Sequence, residues 1–192
     1  ENQMHHVAWD GLAHHDTIFP LFIFIAGVSF PYSYAKQVKI GKTRWQIYKK
    51  IFIRAAVLVF LGMICNGLLK LQSGPQRFFS VLERIGVAGM FASILYINFK
   101  PRGRIIIAAL ILIVYGAISF IVAADAPAGT SPLSLEGSIA AYVDRTLFPN
   151  LIYKPGIYDP EGLLSTFPAI VTAMLGNFTG EFRTAAVAAV GA

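Results

Sequence analysis

The chain has 192 residues, of which 56% are hydrophobic and 14% are charged, whereas soluble domains carry about 25% charged residues. This composition excludes an ordinary soluble domain, and the apolar residues fall in blocks of roughly 20, the length that crosses a bilayer. We therefore predict an all-α fold, a polytopic helical membrane protein with about five transmembrane helices.

The segment 5–20 comes first in the chain and is rich in ionisable groups. It holds four His, two Asp and one Trp, directly before an uncharged block. Ionisable groups at the mouth of an apolar segment are costly to keep unless they serve a function. The segment is therefore the first candidate for an active site.

Five apolar blocks are predicted to cross the membrane, at residues 17–35, 51–69, 78–99, 105–124 and 163–180. The connections between them are a basic loop at 36–50, a short loop at 70–77, a tight basic turn at 100–104 and a polar loop at 125–162. The prolines of the polar loop argue against one continuous helix there. We expect Pro20 in a first turn, Pro31 to kink or end the first helix, and Pro168 to kink the fifth.

The loops on the two sides of these spans differ in charge. Eleven of the sixteen Lys and Arg lie on one side, in residues 36–54, in residues 100–104 and at Arg183. An excess of Lys and Arg marks the cytoplasmic face. This topology places the 5–16 segment, the Glu83–Arg84 pair and the 125–162 loop together on the extracytoplasmic side. It also explains the net charge of +6, so that no nucleic-acid partner is expected.

His6 and Asp16 are the candidate catalytic residues. An imidazole takes up and returns a proton near physiological pH, and a nearby carboxylate can fix its tautomer. The alternative is that His side chains here are simply solvated at the membrane interface, which is our interpretation of His5, His14 and His15. A metal site is the weaker alternative, because the pattern matches no standard ligand spacing, and no metal is expected.

Arg54 and Arg84 lie within apolar blocks. A guanidinium suits phosphate or carboxylate, so Arg54 is a candidate to receive an anionic donor from the cytoplasm. The alternative is that such side chains extend toward lipid headgroups, which is the better interpretation for Lys49 and Lys50. Arg84 directly follows Glu83, and neighbours on a helix point in different directions, so each needs its own partner.

Three further polar residues are candidate substrate contacts. Asp159 and Glu161 precede an apolar run, which is typical of a helix start with acids near the positive end of the helix dipole. A second role, facing the His segment across a cavity, stays open. Asn66 either makes an interhelical hydrogen bond, the interpretation that we favour, or contacts substrate.

Several segments follow one another in a recognisable order: HVAWDGL at 6–12, DTIFPLFIFIAGVS at 16–29, VLERIGV at 81–87, YVDR at 142–145 and YDPEGLLST at 158–166. Together they resemble the heparan-α-glucosaminide N-acetyltransferase family and its bacterial homologues. The family patterns are similar to H-x-x-W-[ND]-G-L, then D and F-P-x-F-x-F-I-x-G-x-S, V-L-Q-R-[IL]-[AG], Y-[IV]-D-R and Y-D-P-E-G-[IL]-L. Glu83 stands where the family often has Gln, which alters the local charge.

The resemblance implies an acyltransferase of the N-acetyltransferase type. It would move an acetyl group from acetyl-CoA, supplied from the cytoplasm, to an amino sugar or glycan on the far side. His6 matches the catalytic position, as base or acetyl carrier, with Asp16 orienting it. The substrate-binding candidates are Trp9, Asp10, Asn66, Arg84, Asp159 and Glu161, and Arg54 is the candidate for the phosphates of CoA.

We expect one transmembrane acyltransferase domain over residues 1–192, as a fragment of a longer protein, since the chain opens on Glu1 and residues 184–192 look like the start of a further apolar segment. The expected location is a bacterial inner membrane, with membrane lipid as a partner. Whether the chain forms a homo-oligomer stays open. The competing interpretations are a transporter or proton-coupled permease that uses the same ionisable residues and a non-catalytic scaffold. A transporter would predict internal repeats, and the sequence contains none that we can identify.

Overall fold

The computed structural model describes residues 11, 13–67, 79–149, 151–152 and 158–190. Over these residues the chain is all-helical, without a β-strand, and this confirms the predicted fold class. The helices are α1 (His14–Lys39), α2 (Arg44–Cys65), α3 (Val81–Asn98), α4 (Pro101–Ser119), α5 (Ile139–Leu147) and α6 (Thr166–Val190).

Glycines set the spacing of the central helix pair, α1 and α6. A Cβ added at Gly27 would overlap the carbonyl of Ala173, and one added at Gly176 would overlap the carbonyl of Phe24. Small residues permit this close approach, which is how helices commonly associate in a membrane, where apolar burial gives little drive. The third helix, α3, packs against both members of the pair and buries Ala92.

Within the described part of the chain, three helices are long and apolar enough to cross a membrane, namely Asp16–Lys39, Val81–Asn98 and Pro101–Ser119. The other two predicted spans fall on α2 and α6, which are more polar. The polar residues concerned are Lys49, Lys50 and Arg54 in α2 and Asn177, Glu181 and Arg183 in α6. The described residues therefore support three spans where five were predicted, and a crossing by α2 or α6 stays a prediction.

The first basic connection is much shorter than the predicted loop at 36–50. α1 continues through Pro31 to Lys39, because neighbouring helices can satisfy the backbone groups that a proline frees in a membrane helix. The next helix already begins after Thr43. The Thr43 hydroxyl accepts from the Gln46 N–H at 3.4 Å, and the Gln46 side chain accepts from the Thr43 N–H at 3.0 Å. This reciprocal cap fixes the start of α2.

Two prolines begin helices instead of bending them. The predicted turn at 100–104 is largely the first turn of α4, and Pro101 is the first residue of that helix. Pro168 lies in the first turn of α6, so the predicted kink there is wrong. Proline is favoured at these positions because the first N–H groups of a helix have no partner within it.

A buried arginine joins three helices near the start of α4. Arg104 is 3% exposed and donates to the Glu181 carboxylate in α6 at 2.6 Å. Its guanidinium lies between two aromatic rings, 4.5 Å from the centroid of Tyr96 and 5.2 Å from that of Phe178. These contacts fix α3, α4 and α6 against one another.

The polar loop at 125–162 contains the short helix α5, so the prediction that it holds no continuous helix is confirmed. Ser138 caps α5, with its hydroxyl accepting from the Ala141 N–H at 3.5 Å. Arg145 at the other end of α5 pairs with Asp125. The loop is therefore folded back on itself and places α5 beside the start of α6.

Candidate active site at the acidic end of the bundle

The helices α1, α3 and α6 begin at the same end of the bundle, where α5 also lies. Arg84, in the first turn of α3, stands 5.7 Å from the ring centroid of Phe19 in α1 and also reaches the segment before α6. We call this the acidic end, because five acidic residues belong to the segments that meet there: Asp16, Glu83, Asp144, Asp159 and Glu161. The opposite, basic end carries Lys39, Arg44, Lys100 and Arg104.

Arg84 is at the centre of this end. Its side chain is buried, and Nη2 donates to the Gly162 carbonyl at 3.3 Å and to the Ser165 hydroxyl. Among the described residues its Nε has no hydrogen-bond acceptor. A buried donor without an acceptor costs about 1–3 kcal/mol. Arg84 is therefore suited to take one further acceptor atom, such as a substrate oxygen.

Asp144 belongs to the same site, although the sequence analysis did not select it. It is 2% exposed, and its Oδ1 accepts from the Leu163 N–H at 2.9 Å. Burial raises the pKa of Asp144 to about 6, against the lowering effect of the Leu163 N–H; the charge of Asp159 raises it and that of Arg84 lowers it. Titratable groups perturbed in this way cluster at functional sites.

A sequence signal for Asp144 did exist. It lies in the YVDR segment, and it follows Ala141 by three residues, so the two share one face of a short amphipathic helix. Both residues are buried. The pattern predicts an inward-facing carboxylate, once the segment is recognised as a helix.

Asp159 and Glu161 form the turn ahead of α6. Asp159 is 5% exposed, and its Oδ1 accepts from the Glu161 N–H at 2.9 Å. The Gly162 N–H in turn donates to the Asp159 carbonyl at 3.2 Å. Because α6 begins only at Thr166, the two acids precede the helix and do not lie in its first turn. They stand next to the glycine that Arg84 contacts.

Asp16 has a structural role in α1. Its Oδ2 accepts from the Ala13 N–H at 2.9 Å, which stabilises the first turn. His6, Trp9 and Asp10 lie outside the described residues, so the pairing of Asp16 with His6 stays a prediction. In the part of the chain that the structure describes, no group of three or more His, Cys, Asp or Glu is placed to hold a metal ion.

Asn66 joins the end of α2 to the start of α3. Its Nδ2 donates to the Phe79 carbonyl at 2.8 Å, as the hydrogen-bond interpretation requires. The next residue, Ser80, caps α3: its hydroxyl accepts from the Glu83 N–H at 3.1 Å, and the Glu83 carboxylate accepts from the Ser80 N–H at 3.3 Å. This corner supports the helix that carries Arg84.

Arg54 lies apart from the acidic end. Since α2 begins at Arg44 and not at the predicted position 51, Arg54 stands about 15 Å along the helix instead of in its first turn. With Lys50 it lines a cavity of about 70 Å³ between α1, α2, α3 and α6. Gln37 and Asn177 also line this cavity, and within the described residues their buried amide oxygens have no donor.

The sequence of the chain is similar to those of known N-acetyltransferases. Residues 1–186 match the family model described as heparan-alpha-glucosaminide N-acetyltransferase, catalytic. The chain is 28% identical over 225 residues to the human heparan-alpha-glucosaminide N-acetyltransferase and 26% identical over 227 residues to the mouse protein. Each alignment covers 92% of this chain and 34% of the relative, so the chain spans about a third of their length. The match over nearly all of its residues shows that the chain belongs to the heparan-alpha-glucosaminide N-acetyltransferase catalytic family.

Proposed function

We propose that the protein is a membrane-bound N-acetyltransferase that moves an acetyl group from acetyl-CoA to an amino sugar or glycan. The observation that carries the proposal is the meeting of Arg84, Asp144 and Asp159 at the start of α6. This cluster lies at the end of the bundle where α1 begins, and α1 follows directly on the segment that holds His6. Sugar hydroxyl and amino groups suit such a mixture of a guanidinium and carboxylates.

The chemistry requires a base, because a protonated amine cannot attack a thioester. His6 removes a proton from the acceptor amine as the nitrogen bonds to the acetyl carbon and the carbon–sulfur bond breaks. His6 then gives this proton to the sulfur, so that CoA leaves as its thiol. In the second form of the mechanism, a His6 nitrogen bonds to the acetyl carbon as the carbon–sulfur bond breaks and the CoA thiolate leaves. The amine then takes the acetyl group from His6, and the proton that it loses balances the one that the thiolate takes up. Asp16 orients the ring, and the acceptor lies against Trp9, Asp10, Asp159 and Glu161.

We assign acetyl-CoA, the acetyl donor, to the cavity between α1, α2, α3 and α6. Arg54 and Lys50 offer cations for phosphates. The amide oxygens of Gln37 and Asn177, which have no donor among the described residues, accept from N–H groups of an amide-containing arm. The cavity is small beside the roughly 300–1,000 Å³ of typical ligand sites. We therefore assign only these polar contacts to it, with Arg54 as the phosphate contact.

The topology follows from charge. We propose that α2 and α6 also cross the membrane, giving five spans, with the basic end in the cytoplasm and the acidic end outside. Residues 1–192 form one transmembrane acyltransferase domain in a bacterial inner membrane. An introduced Cys at Ser134, with Cys65→Ser as background, should react with an impermeant thiol reagent from outside. A Cys at Lys42 should react only from inside, and reversed labelling would overturn this orientation.

Acetyl transfer to glucosamine by membranes that contain the protein tests the function. His6→Ala should abolish transfer, while the neighbouring His5→Ala should retain it. Transfer that survives His6→Ala would overturn the catalytic assignment. Movement of the sugar across the membrane without acetyl-CoA, and without any acetylation, would favour a transporter.

A further inference from the structure

Asp144 makes two contacts with the segment that precedes α6. Its Oδ1 accepts from the Leu163 N–H at 2.9 Å. Its Oδ2 lies so close to Gly162 that a Cβ at that position would overlap the carboxylate. A buried carboxylate is costly unless it is hydrogen-bonded, so the position of Leu163 is tied to the position of Asp144.

Arg84 holds the same segment from α3. It donates to the Gly162 carbonyl and to the Ser165 hydroxyl. The segment also closes on itself, because the hydroxyl groups of Ser165 and Thr166 each donate to the Gly162 carbonyl at 3.0 Å. Residues 162–165 are therefore fixed by an anion from α5 and a cation from α3.

Asp159 and Glu161, the candidate acceptor-binding acids, lie in the turn directly before this segment. The Gly162 N–H donates to the Asp159 carbonyl, and Asp159 in turn accepts from the Glu161 N–H. A shift at Gly162 is thus transmitted to both acids.

We propose that Asp144 is a positioning residue for the acceptor site: its ionised carboxylate, acting with Arg84, holds residues 162–165 and thereby places Asp159 and Glu161 for the acceptor. This inference rests on the proposed function, because that function supplies the acceptor. The contacts of Asp144 and Arg84 with residues 162–165, which we call the clamp, lie within the chain.

The clamp responds to pH through charge. The charged and titratable groups around it are Arg84 and Glu83 from α3, Tyr115 from α4 and Asp159 from the turn. The pKa of Asp144 is about 6, so its charge changes between pH 5 and 8. A hydrogen bond to a charged acceptor is stronger than one to a neutral acceptor, and protonation of Asp144 therefore loosens the clamp.

Kinetics across pH separate positioning from simple packing. Asp144→Asn keeps an oxygen for the Leu163 N–H but is neutral at every pH. We expect its kcat/KM for the amino sugar to equal that of the wild type near pH 5 and to be about 5–10-fold lower at pH 8. Taking the ratio of the two enzymes cancels the titration of His6 and of the acceptor amine. Glu136→Gln, which neutralises an exposed carboxylate of the same loop, should show a constant ratio near one. A pH-independent ratio for Asp144→Asn would overturn the proposal.

Hydrogen exchange tests the clamp without activity. In the full-length protein, Asp144→Ala should raise the exchange rate of the 158–165 peptide by about 10-fold, while Glu136→Gln should leave it unchanged. Unchanged exchange in Asp144→Ala would show that no clamp exists. If wild-type membranes transfer no acetyl group, the proposed function fails, and the exchange experiment alone decides whether Asp144 holds the segment.

Discussion

The buried carboxyl of Asp144 makes a sharp prediction about stability. Burial raises the pKa of Asp144 from 3.8 to about 6, and each pH unit of such a difference is worth about 1.36 kcal/mol. Between these two values the folded state binds more protons than the unfolded chain, so its free energy of unfolding falls as the pH rises. The whole expected loss is about 3 kcal/mol, of which about 2 kcal/mol falls between pH 3.8 and pH 6 and the rest just outside that range.

Asp144→Asn cannot titrate and provides the baseline. We expect the wild type to lose stability relative to Asp144→Asn as the pH rises from 4 to 7. Between pH 4 and pH 7 the loss is about 2.4 kcal/mol, and for a domain of this size 1 kcal/mol corresponds to about 2–4 °C in Tm. The Tm of Asp144→Asn minus that of the wild type should therefore rise by about 5–10 °C. Thermal unfolding of the purified protein in mild detergent, at intervals of one pH unit, measures it. Any fixed cost of the Asn amide displaces the whole curve and does not affect this rise.

The control for this series is Asp125→Asn, because Asp125 is exposed and the Arg145 side chain lowers its pKa. It should produce no such rise over the same range. Parallel curves for the wild type and Asp144→Asn would refute the reasoning, as would a Tm of Asp144→Asn that falls relative to that of the wild type as the pH rises. Relative to the wild type, Asp144→Asn is thus expected to gain stability between pH 4 and pH 8, yet to be less active at pH 8, which is the usual trade-off at a functional site.

Two further substitutions test other parts of the structure. Gly162→Ala should destabilise the protein by about 1–3 kcal/mol, because the added methyl overlaps the Asp144 carboxylate; Gly116→Ala, where a Cβ has open space, should be tolerated, and equal Tm values for the two variants would contradict this. Arg104→Met should cost about 1–3 kcal/mol, less than a fully buried pair because Glu181 is 36% exposed, and an unchanged Tm would show that the pair is not stabilising.

The charge pattern of the sequence predicted much of the arrangement at the acidic end. Sorting loops by Lys and Arg placed Arg84 on the same side as the 125–162 loop, and the structure shows Arg84 in contact with Gly162. That inference works because helix length and charge asymmetry are both read directly from the chain. The geometry of Asn66 was also predicted, since an amide in an apolar block needs a partner.

Other features depend on tertiary packing and were missed. Asp144 and Ser165 become part of the site only because α5 folds back onto the turn before α6. The spacing of Ala141 and Asp144 predicts an inward-facing carboxylate, but no local pattern shows which segment it contacts. The predicted loop at 36–50 is mostly helix, because Lys and Gln are good helix formers and a charged end of a helix can extend beyond the apolar core. Arg54 was misplaced for the same reason, since the start of its helix was set too late.

The most direct test of the central claim uses sealed vesicles of known orientation that contain the full-length protein. Acetyl-CoA, which does not cross the membrane, is supplied on the side of the basic end, and glucosamine is enclosed on the side of the acidic end. We predict that N-acetylglucosamine forms in this arrangement and not when the two compounds are exchanged. Equal product in both arrangements, or product only in the reversed one, would contradict transfer from the basic end to the acidic end.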